Sequence, residues 1–169
     1  MIIGLISDTH DNISNILKAK EIFRQKKVEL IIHAGDIIAP KTVEFFQGIK
    51  TWFVKGNCDG DTENIDFKAE KVGGKYLGDV GSFDIGEKEF CVYHGTDKEM
   101  LRKLIQSKKY DYIITGHTHD IMDFKEGKTR VINPGAHYYM SQNSIAILDT
   151  EKDSVEFIDV TNGNKLQIH

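Results

Sequence analysis

Five short apolar runs, each closing on polar residues, set the pattern of this chain. They read Ile2 to His10 (IIGLISDTH), Leu30 to Asp36 (LIIHAGD), Thr51 to Asn57 (TWFVKGN), Phe90 to Gly95 (FCVYHG) and Tyr112 to His119 (YIITGHTH). Apolar runs of about 4–8 residues rich in Ile, Val and Phe are the signal of buried strands. Between the first two, Ile13, Ile16, Leu17, Lys20 and Phe23 fall at three/four spacing and predict a helix with one buried face. Asp11 or Asn12 is placed to cap it. A short helix from Lys41 to Phe46 and a strand from Thr51 to Val54 follow. This strand–helix–strand–helix–strand order reads as a parallel, right-handed βαβαβ half.

The stretch from Asp61 to Gly78 is polar, turns at Gly73–Gly74, and predicts loop plus a short helix. Val80 to Ile85 and Glu89 to His94 flank Gly86–Glu87–Lys88 and predict a hairpin. Asp97 caps a helix with Met100, Leu101, Leu104 and Ile105 on one side, and a strand from Tyr112 to Thr115 comes next. Short strands follow at Ile121 to Phe124, Thr129 to Ile132, Ser144 to Asp149 and Val155 to Val160, parted by Gly127 and the Asn133–Pro134–Gly135 turn. The expectation is a mixed α/β domain whose second half is antiparallel.

Composition narrows the class. A length of 169 residues suits one domain over 1–169, and a chain of that size buries roughly 70% of its unfolded surface without needing disulfides. Only Pro40 and Pro134 occur as prolines, so no proline-rich linker divides the chain. A net charge of −4 argues against a nucleic-acid polymer as partner. The basic pieces Arg24 to Lys27 and Lys108–Lys109 read as solvated helix ends. A strand at the very start speaks against a signal peptide, and no apolar run approaches the roughly 20 residues that span a bilayer. Cys58 and Cys91 lack disulfide-framework spacing. The expected compartment is therefore the cytoplasm, with no membrane partner.

The strand ends carry the chemistry. In open α/β sheets ligands bind outside the carboxyl ends of the strands. The five runs deliver Asp8, His10, Asp36, Asn57, His94, His117 and His119 to one rim, enough oxygen and nitrogen for two metal ions. Asp8 and His10 flank Thr9, and His117 and His119 flank Thr118, so each pair shares a side in extended backbone. Both pairs are followed by an acid, Asp11 and Asp120. Gly35 before Asp36 and Gly56 before Asn57 permit sharp turns. Any one of these residues alone reads as a cap, a turn or a half-buried histidine. Four of the seven histidines at strand ends are not explained that way. His33 reads as core, His137 as a turn neighbour, His169 as the terminal residue, and Cys91 as a small core residue. Cys58 is set aside as a ligand. No Ser–His–Asp or Cys–His arrangement and no glycine-rich phosphate loop occurs.

Taken in order, Asp8-x-His10, Gly35-Asp36, Gly56-Asn57-x-Asp59, His94-Gly95 and Gly116-His117-x-His119 resemble the calcineurin-like metallophosphoesterase superfamily. They are most similar to its small, single-domain archaeal and bacterial phosphodiesterase branch, and Asn133-Pro134-Gly135 matches a further turn of that branch. The resemblance implies an α/β fold, a four-layer α/β/β/α sandwich of two mixed β-sheets flanked by helices. It implies a first metal on Asp8, His10 and His119, a second on Asn57, His94 and His117, and Asp36 bridging both. Asp59 would orient the site from behind. A hydroxide bridging the metals would attack phosphorus, with Asn57 also contacting the substrate. Many members place a histidine after the motif asparagine to protonate the leaving group. Cys58 stands there, which leaves the general acid unassigned. Ala136 stands where the branch often has serine.

Imidazoles and carboxylates together suit borderline ions, so two divalent ions are expected, Mn or Ni first, with Fe, Co or Zn as alternatives. The implied activity is metal-dependent hydrolysis of a small phosphodiester. A catalytically silent scaffold resembling the retromer sorting subunit and a phosphomonoesterase are the alternatives, and homo-oligomerisation is left open. Specificity would come from rim loops such as Asp59 to Lys71 and Gly135 to Gln142, where Tyr138–Tyr139 reads as loop packing rather than a base-stacking platform.

Overall fold

The structure is a computed structural model that describes residues 1–137 and 142–167. Its elements run β1 (Ile2–Ile6), α1 (Ile13–Gln25), β2 (Leu30–His33), a 3-10 helix (Pro40–Phe46), β3 (Thr51–Phe53), α2 (Thr62–Lys71) and β4 (Lys75–Tyr76). They continue β5 (Val80–Ile85), β6 (Lys88–Tyr93), α3 (Lys98–Gln106), β7 (Tyr112–Ile114), β8 (Ile121–Glu126), β9 (Thr129–Pro134), β10 (Ser144–Asp149), β11 (Ser154–Asp159) and β12 (Lys165–Leu166).

Alternation along the strands builds the layers. In β1, Ile3 and Leu5 point to one side and Ile6 to the other; in β2, Leu30 and Ile32 oppose Ile31. The first set meets Phe90, Val92, Tyr112, Ile114 and Ile132 of the other sheet and forms the core between sheets. The second set packs under Ile16, Ala19 and Phe23 of α1, Val43 and Phe46 of the 3-10 helix, and Ile65 and Ala69 of α2. On the far side, Ile105, Leu101 and Leu104 of α3 cover Cys91, Ile113 and Val131. Helices, sheet, sheet and helix therefore stack as the expected four layers.

The 7-stranded sheet has the order β12-β11-β10-β1-β2-β3-β4, and the 5-stranded sheet the order β5-β6-β7-β9-β8. β1, β2, β3 and β4 pair in parallel, with Gly4 opposite Ile31 and Ile32 opposite Trp52. The predicted parallel half is therefore present, extended by β4. The second half is not simply antiparallel: β6 pairs parallel with β7, and β7 parallel with β9. The reason is α3, whose crossover joins β6 to β7 as a βαβ unit, while β8 is displaced to the edge.

Local detail refines three expectations. The short helix at Lys41–Phe46 is a 3-10 helix opened by Pro40, with Gln47 N donating to Glu44 O at 3.1 Å. The short helix expected in the polar stretch is α2, capped by the Asp61 side chain accepting from Asn64 N at 3.3 Å. In α1, Asn12 is the cap and the buried face runs through Asn15, Ile16, Ala19 and Phe23, while Leu17 is 49% exposed. Asp11 accepts instead from Ala39 N and Thr42 Oγ1, tying the β1 loop to the 3-10 helix. No described helix is long and apolar enough to cross a membrane.

Candidate metal centre

All seven candidate residues lie just beyond strand ends: Asp8 and His10 after β1, Asp36 after β2, Asn57 after β3, His94 after β6, and His117 and His119 after β7. The parallel pairing within each sheet aligns those ends, and the face-to-face stacking brings the two sets together. The loops that follow are tightly bent. Asp8 (φ 51), His10 (φ 42), Asp36 (φ 58), His117 (φ 68) and His119 (φ 64) all adopt left-handed backbone. Such conformations are uncommon outside glycine and cluster at functional sites. Here they are held by hydrogen bonds between loops: Asp8 N donates to Gly35 O and His10 N to Asp36 O, each at 3.0 Å.

The two glycines expected to permit turns act differently. Gly35 has φ +102 and is needed for its turn. Gly56 is needed for space, because a Cβ there would sit 2.1 Å from Asp36 N and Asp36 Oδ1.

Three overlapping groups of potential ligand atoms form, each within 4.8 Å of one another: Asp8, His10 and His119; His10, Asp36 and Cys58; and Asp8, Asp36 and His94. His119 Nε2 lies 3.3 Å from Asp8 Oδ1, and His10 Nε2 lies 3.5 Å from Asp36 Oδ2. His117 stands edge-on to His94, ring centroids 5.2 Å apart. Asn57 reaches the group from the exposed rim, its Oδ1 3.1 Å from His94 Nε2. All seven residues are thus brought to one place. Cys58, set aside in the sequence, joins them, its Sγ lying within 4.8 Å of ligand atoms of His10 and Asp36.

The residues fit a bound cation on two observations. Asp8 is fully buried; its Oδ2 accepts from Ser7 Oγ at 2.5 Å and His117 N at 3.1 Å, while its Oδ1 has no hydrogen-bond partner. A buried carboxylate oxygen without a donor is costly unless a positive charge faces it. His94 Nδ1 lies 2.7 Å from Ala34 O, which can only accept, so Nδ1 carries the proton. Its Nε2 then faces three oxygens, Asn57 Oδ1 at 3.1 Å, Asp36 Oδ1 at 3.5 Å and Asp8 Oδ1 at 3.9 Å. That arrangement needs a proton or a metal ion on Nε2.

The electrostatics agree. Burial works to raise the Asp36 carboxyl, but His94 and the Cys58 amide together hold it well below the usual carboxylate range. Burial works to lower His94, and Asp36 and Asp8 outweigh it, so its pKa is raised. Burial, then the contact with Asp36, push the Cys58 thiol up to about 11.

Behind the ligand atoms, Asp59 accepts from Gly56 N at 2.7 Å, Ile38 N at 2.7 Å and Asp36 N at 3.1 Å. It therefore positions both the Asp36 loop and the Gly56 turn. His33 is core, as expected, yet it also binds the loops: its Nδ1 accepts from Gly35 N and its Nε2 lies 3.0 Å from Thr9 Oγ1. Asn133, visible in the sequence only as part of a turn, donates to Gly116 O at 2.9 Å and Thr118 Oγ1 at 3.1 Å, bracing the His117–His119 loop. His137 is fully buried rather than merely beside a turn, and burial lowers its pKa to about 4. Tyr138, Tyr139 and His169 lie outside the described residues.

Comparison with known proteins gives a consistent family. A sequence model of the calcineurin-like phosphoesterase superfamily domain matches residues 1–153. A phosphodiesterase of Methanocaldococcus jannaschii is 35% identical over 161 residues, covering 90% of this chain and 95% of its own. A probable metallophosphoesterase of Methanothermobacter thermautotrophicus is 32% identical over 166 residues, covering 94% and 92%. Among solved structures, a novel archaeal phosphodiesterase superposes with a TM-score of 0.90 at 34% identity, covering 94% of this chain and 99% of that one.

Proposed function

The chain belongs to the calcineurin-like phosphoesterase superfamily, and we propose that it is a metal-dependent phosphodiesterase acting on a small phosphodiester. In this reading 1–169 is one domain. Asp8, His10 and His119 would hold one divalent ion, Asn57, His94 and His117 a second, and Asp36 would serve both. Manganese or nickel fits the mixed imidazole and carboxylate donors best. The observation that carries the proposal is the overlap of the ligand groups, in which Asp8, Asp36 and His10 each belong to two. Overlap of that kind suits two ions side by side rather than one.

When bound, two such ions lower the pKa of water and neutralise charge on phosphoryl oxygens. The chain's own residues prepare the ground. Asp36 stays ionised because His94 and the Cys58 amide favour its charged form. Ala34 O fixes the His94 tautomer, which aims Nε2 inward. Asn57, at the exposed rim, is placed to donate its amide to a phosphoryl oxygen. Cys58 stays protonated near neutral pH and is a poor proton donor, so esters whose leaving group needs no protonation are favoured. Both cysteines are free, which supports a cytoplasmic location.

The test is nitrophenol release from bis-p-nitrophenyl phosphate by metal-stripped protein, with manganese, nickel or nothing restored. Turnover is expected only with metal. Asp36→Ala is expected to remain folded by circular dichroism, to lose turnover, and to bind less manganese by elemental analysis. An active Asp36→Ala variant, or metal-independent turnover, would sink the reading.

A further inference from the structure

Beside the candidate centre lies a recess of about 260 Å³ lined by Lys55, Gly56, Asn57, Asp79, Tyr93 and Thr96. Asn57 is both a wall of this recess and a candidate ligand, and Thr96 Oγ1 donates to Asn57 Oδ1 at 3.3 Å. A phosphoryl group held at the centre therefore has the recess within reach of one of its ester arms. Sites for drug-sized ligands run from roughly 300 to 1,000 Å³, so this space suits a single ring-bearing group.

The lining decides which chemistry fits. Lys55 Nζ lies 3.8 Å from Asp79 Oδ1, so the two charges of the recess cancel. Both side chains are solvent-exposed, which makes the pair loose and both heads available to a ligand. A second phosphate arm would meet Asp79 and would share a lysine already paired. A neutral arm with donors and acceptors finds a complementary group at each: an ammonium, a carboxylate, and the hydroxyls of Thr96 and Tyr93. Tyr93 is half-buried, and its hydroxyl is pinned by accepting from Asp97 N at 2.9 Å, at the cap of α3. Its ring is thus a fixed aromatic wall. A flat, uncharged heterocycle with a polar edge matches both the wall and the paired heads.

We propose that this recess binds one ester arm of the substrate, an uncharged nucleoside whose base lies against Tyr93 and whose polar edge meets Lys55 and Asp79. The proposal deepens the phosphodiesterase reading and rests on it. Its test needs no turnover. Isothermal titration of manganese-loaded protein with methyl phosphate, ribose 5-phosphate and thymidine 5′-monophosphate presents the same phosphate with three arms. Base–aromatic stacking corresponds to roughly tenfold or more in affinity, so the nucleotide is expected to bind at least about tenfold more tightly than either of the others. Tyr93→Leu, checked for folding by circular dichroism, is expected to erase that preference, and Lys55→Ala to reduce it. A purely structural Tyr93 would weaken all three ligands alike and leave their ratio intact. Equal affinities in the unaltered protein, ribose 5-phosphate matching the nucleotide, or a preference that survives Tyr93→Leu would each overturn the proposal. Failure of bis-p-nitrophenyl phosphate turnover would count against the diesterase reading alone, because the binding ratio is measured independently.

Discussion

Asp59 has the most to explain among single residues, because one buried carboxylate serves three amides from two loops. Oδ2 accepts from Asp36 N and Gly56 N, and Oδ1 from Ile38 N, whose residue is itself left-handed at φ 80. A β-branched residue in that region is strained, so the carboxylate is holding a conformation the chain would otherwise leave. Burial raises the Asp59 pKa while the Ile38 and Gly56 amides work against that rise. Asp59→Asn must turn an amide NH₂ toward at least one of these N–H groups. Charge-assisted hydrogen bonds are worth about 1.5–3 kcal/mol each, so the variant is expected to lose about 2 kcal/mol by urea unfolding. Its manganese dissociation constant is expected to rise about tenfold or more, as for other residues that orient ligands from behind. Unchanged stability together with unchanged manganese affinity would refute this account. The sequence marked Asp59 through its spacing from Asn57, and it marked Asp8, His10 and His94, whose ligand atoms are now found near Asp36. It carried no sign that His33 or Asn133 brace the loops, because a polar side chain inside an apolar run, as at His33, or in a turn, as at Asn133, looks the same whether it is merely tolerated or holding its neighbours.

At the level of elements, the site is a product of parallel pairing. β1, β2 and β3 run side by side, as do β6 and β7, so the residues following each strand reach the same level. The strands were legible because their runs are apolar on both faces, as strands covered by a helix layer and a second sheet must be. α2 was legible only as a short helix without bounds, because only Ile65 and Ala69 of its length are buried and the rest is polar apart from the exposed Phe67. β4 escaped notice for a different reason, being the two residues Lys75–Tyr76, too short to show any period. The antiparallel reading of the second half holds for β5–β6, β8–β9 and β10–β11 but not for β6–β7 and β7–β9, because strand order depends on which connection crosses over. Close approach of the β2 and β3 loops is the feature most exposed to test. A methyl at Gly56 would collide with the Asp36 backbone and carboxylate, neither of which has room to yield. Gly56→Ala is expected to cost about 1–3 kcal/mol, as overpacking does, and to abolish tight manganese binding by displacing Asp36. Calorimetric titration of the variant with manganese checks the second half; an unaltered dissociation constant would mean the loops are not in contact as described.

Across the whole molecule, the two sheets are joined at opposite poles by different chemistry. At the carboxyl ends of the parallel strands they meet in the candidate metal centre. At the other end a cluster around Asp153, in the turn between β10 and β11, reaches across to the second sheet. Tyr112 Oη donates to Asp153 Oδ1 at 2.9 Å, Arg130 Nη1 to the same oxygen at 3.0 Å, and Lys125 Nζ to Oδ2 at 2.5 Å. The Arg130 fork is aligned by Asp123, which accepts from Nε and Nη2 at 2.7 Å each. Partial burial works to raise the Asp153 pKa, but Lys125, Arg130 and Tyr112 hold it down at about 2. An unfolded aspartate titrates near 3.9. Between those values the unfolded chain binds more protons than the folded protein, so this contribution is complete above about pH 4 and is lost as pH falls toward about 2. Asp153→Asn is expected to destabilise the protein near neutrality by about 1 kcal/mol or less, since the carboxylate is partly solvent-screened. The gap between the two proteins in urea midpoint should then narrow as the pH falls through that window. A gap that stays constant or widens on acidification would show that Asp153 acts through packing rather than charge. Because this cluster lies at the pole away from the centre, nitrophenyl ester turnover at neutral pH should stay at its original level in Asp153→Asn. Stability and chemistry would then be separable by a single substitution.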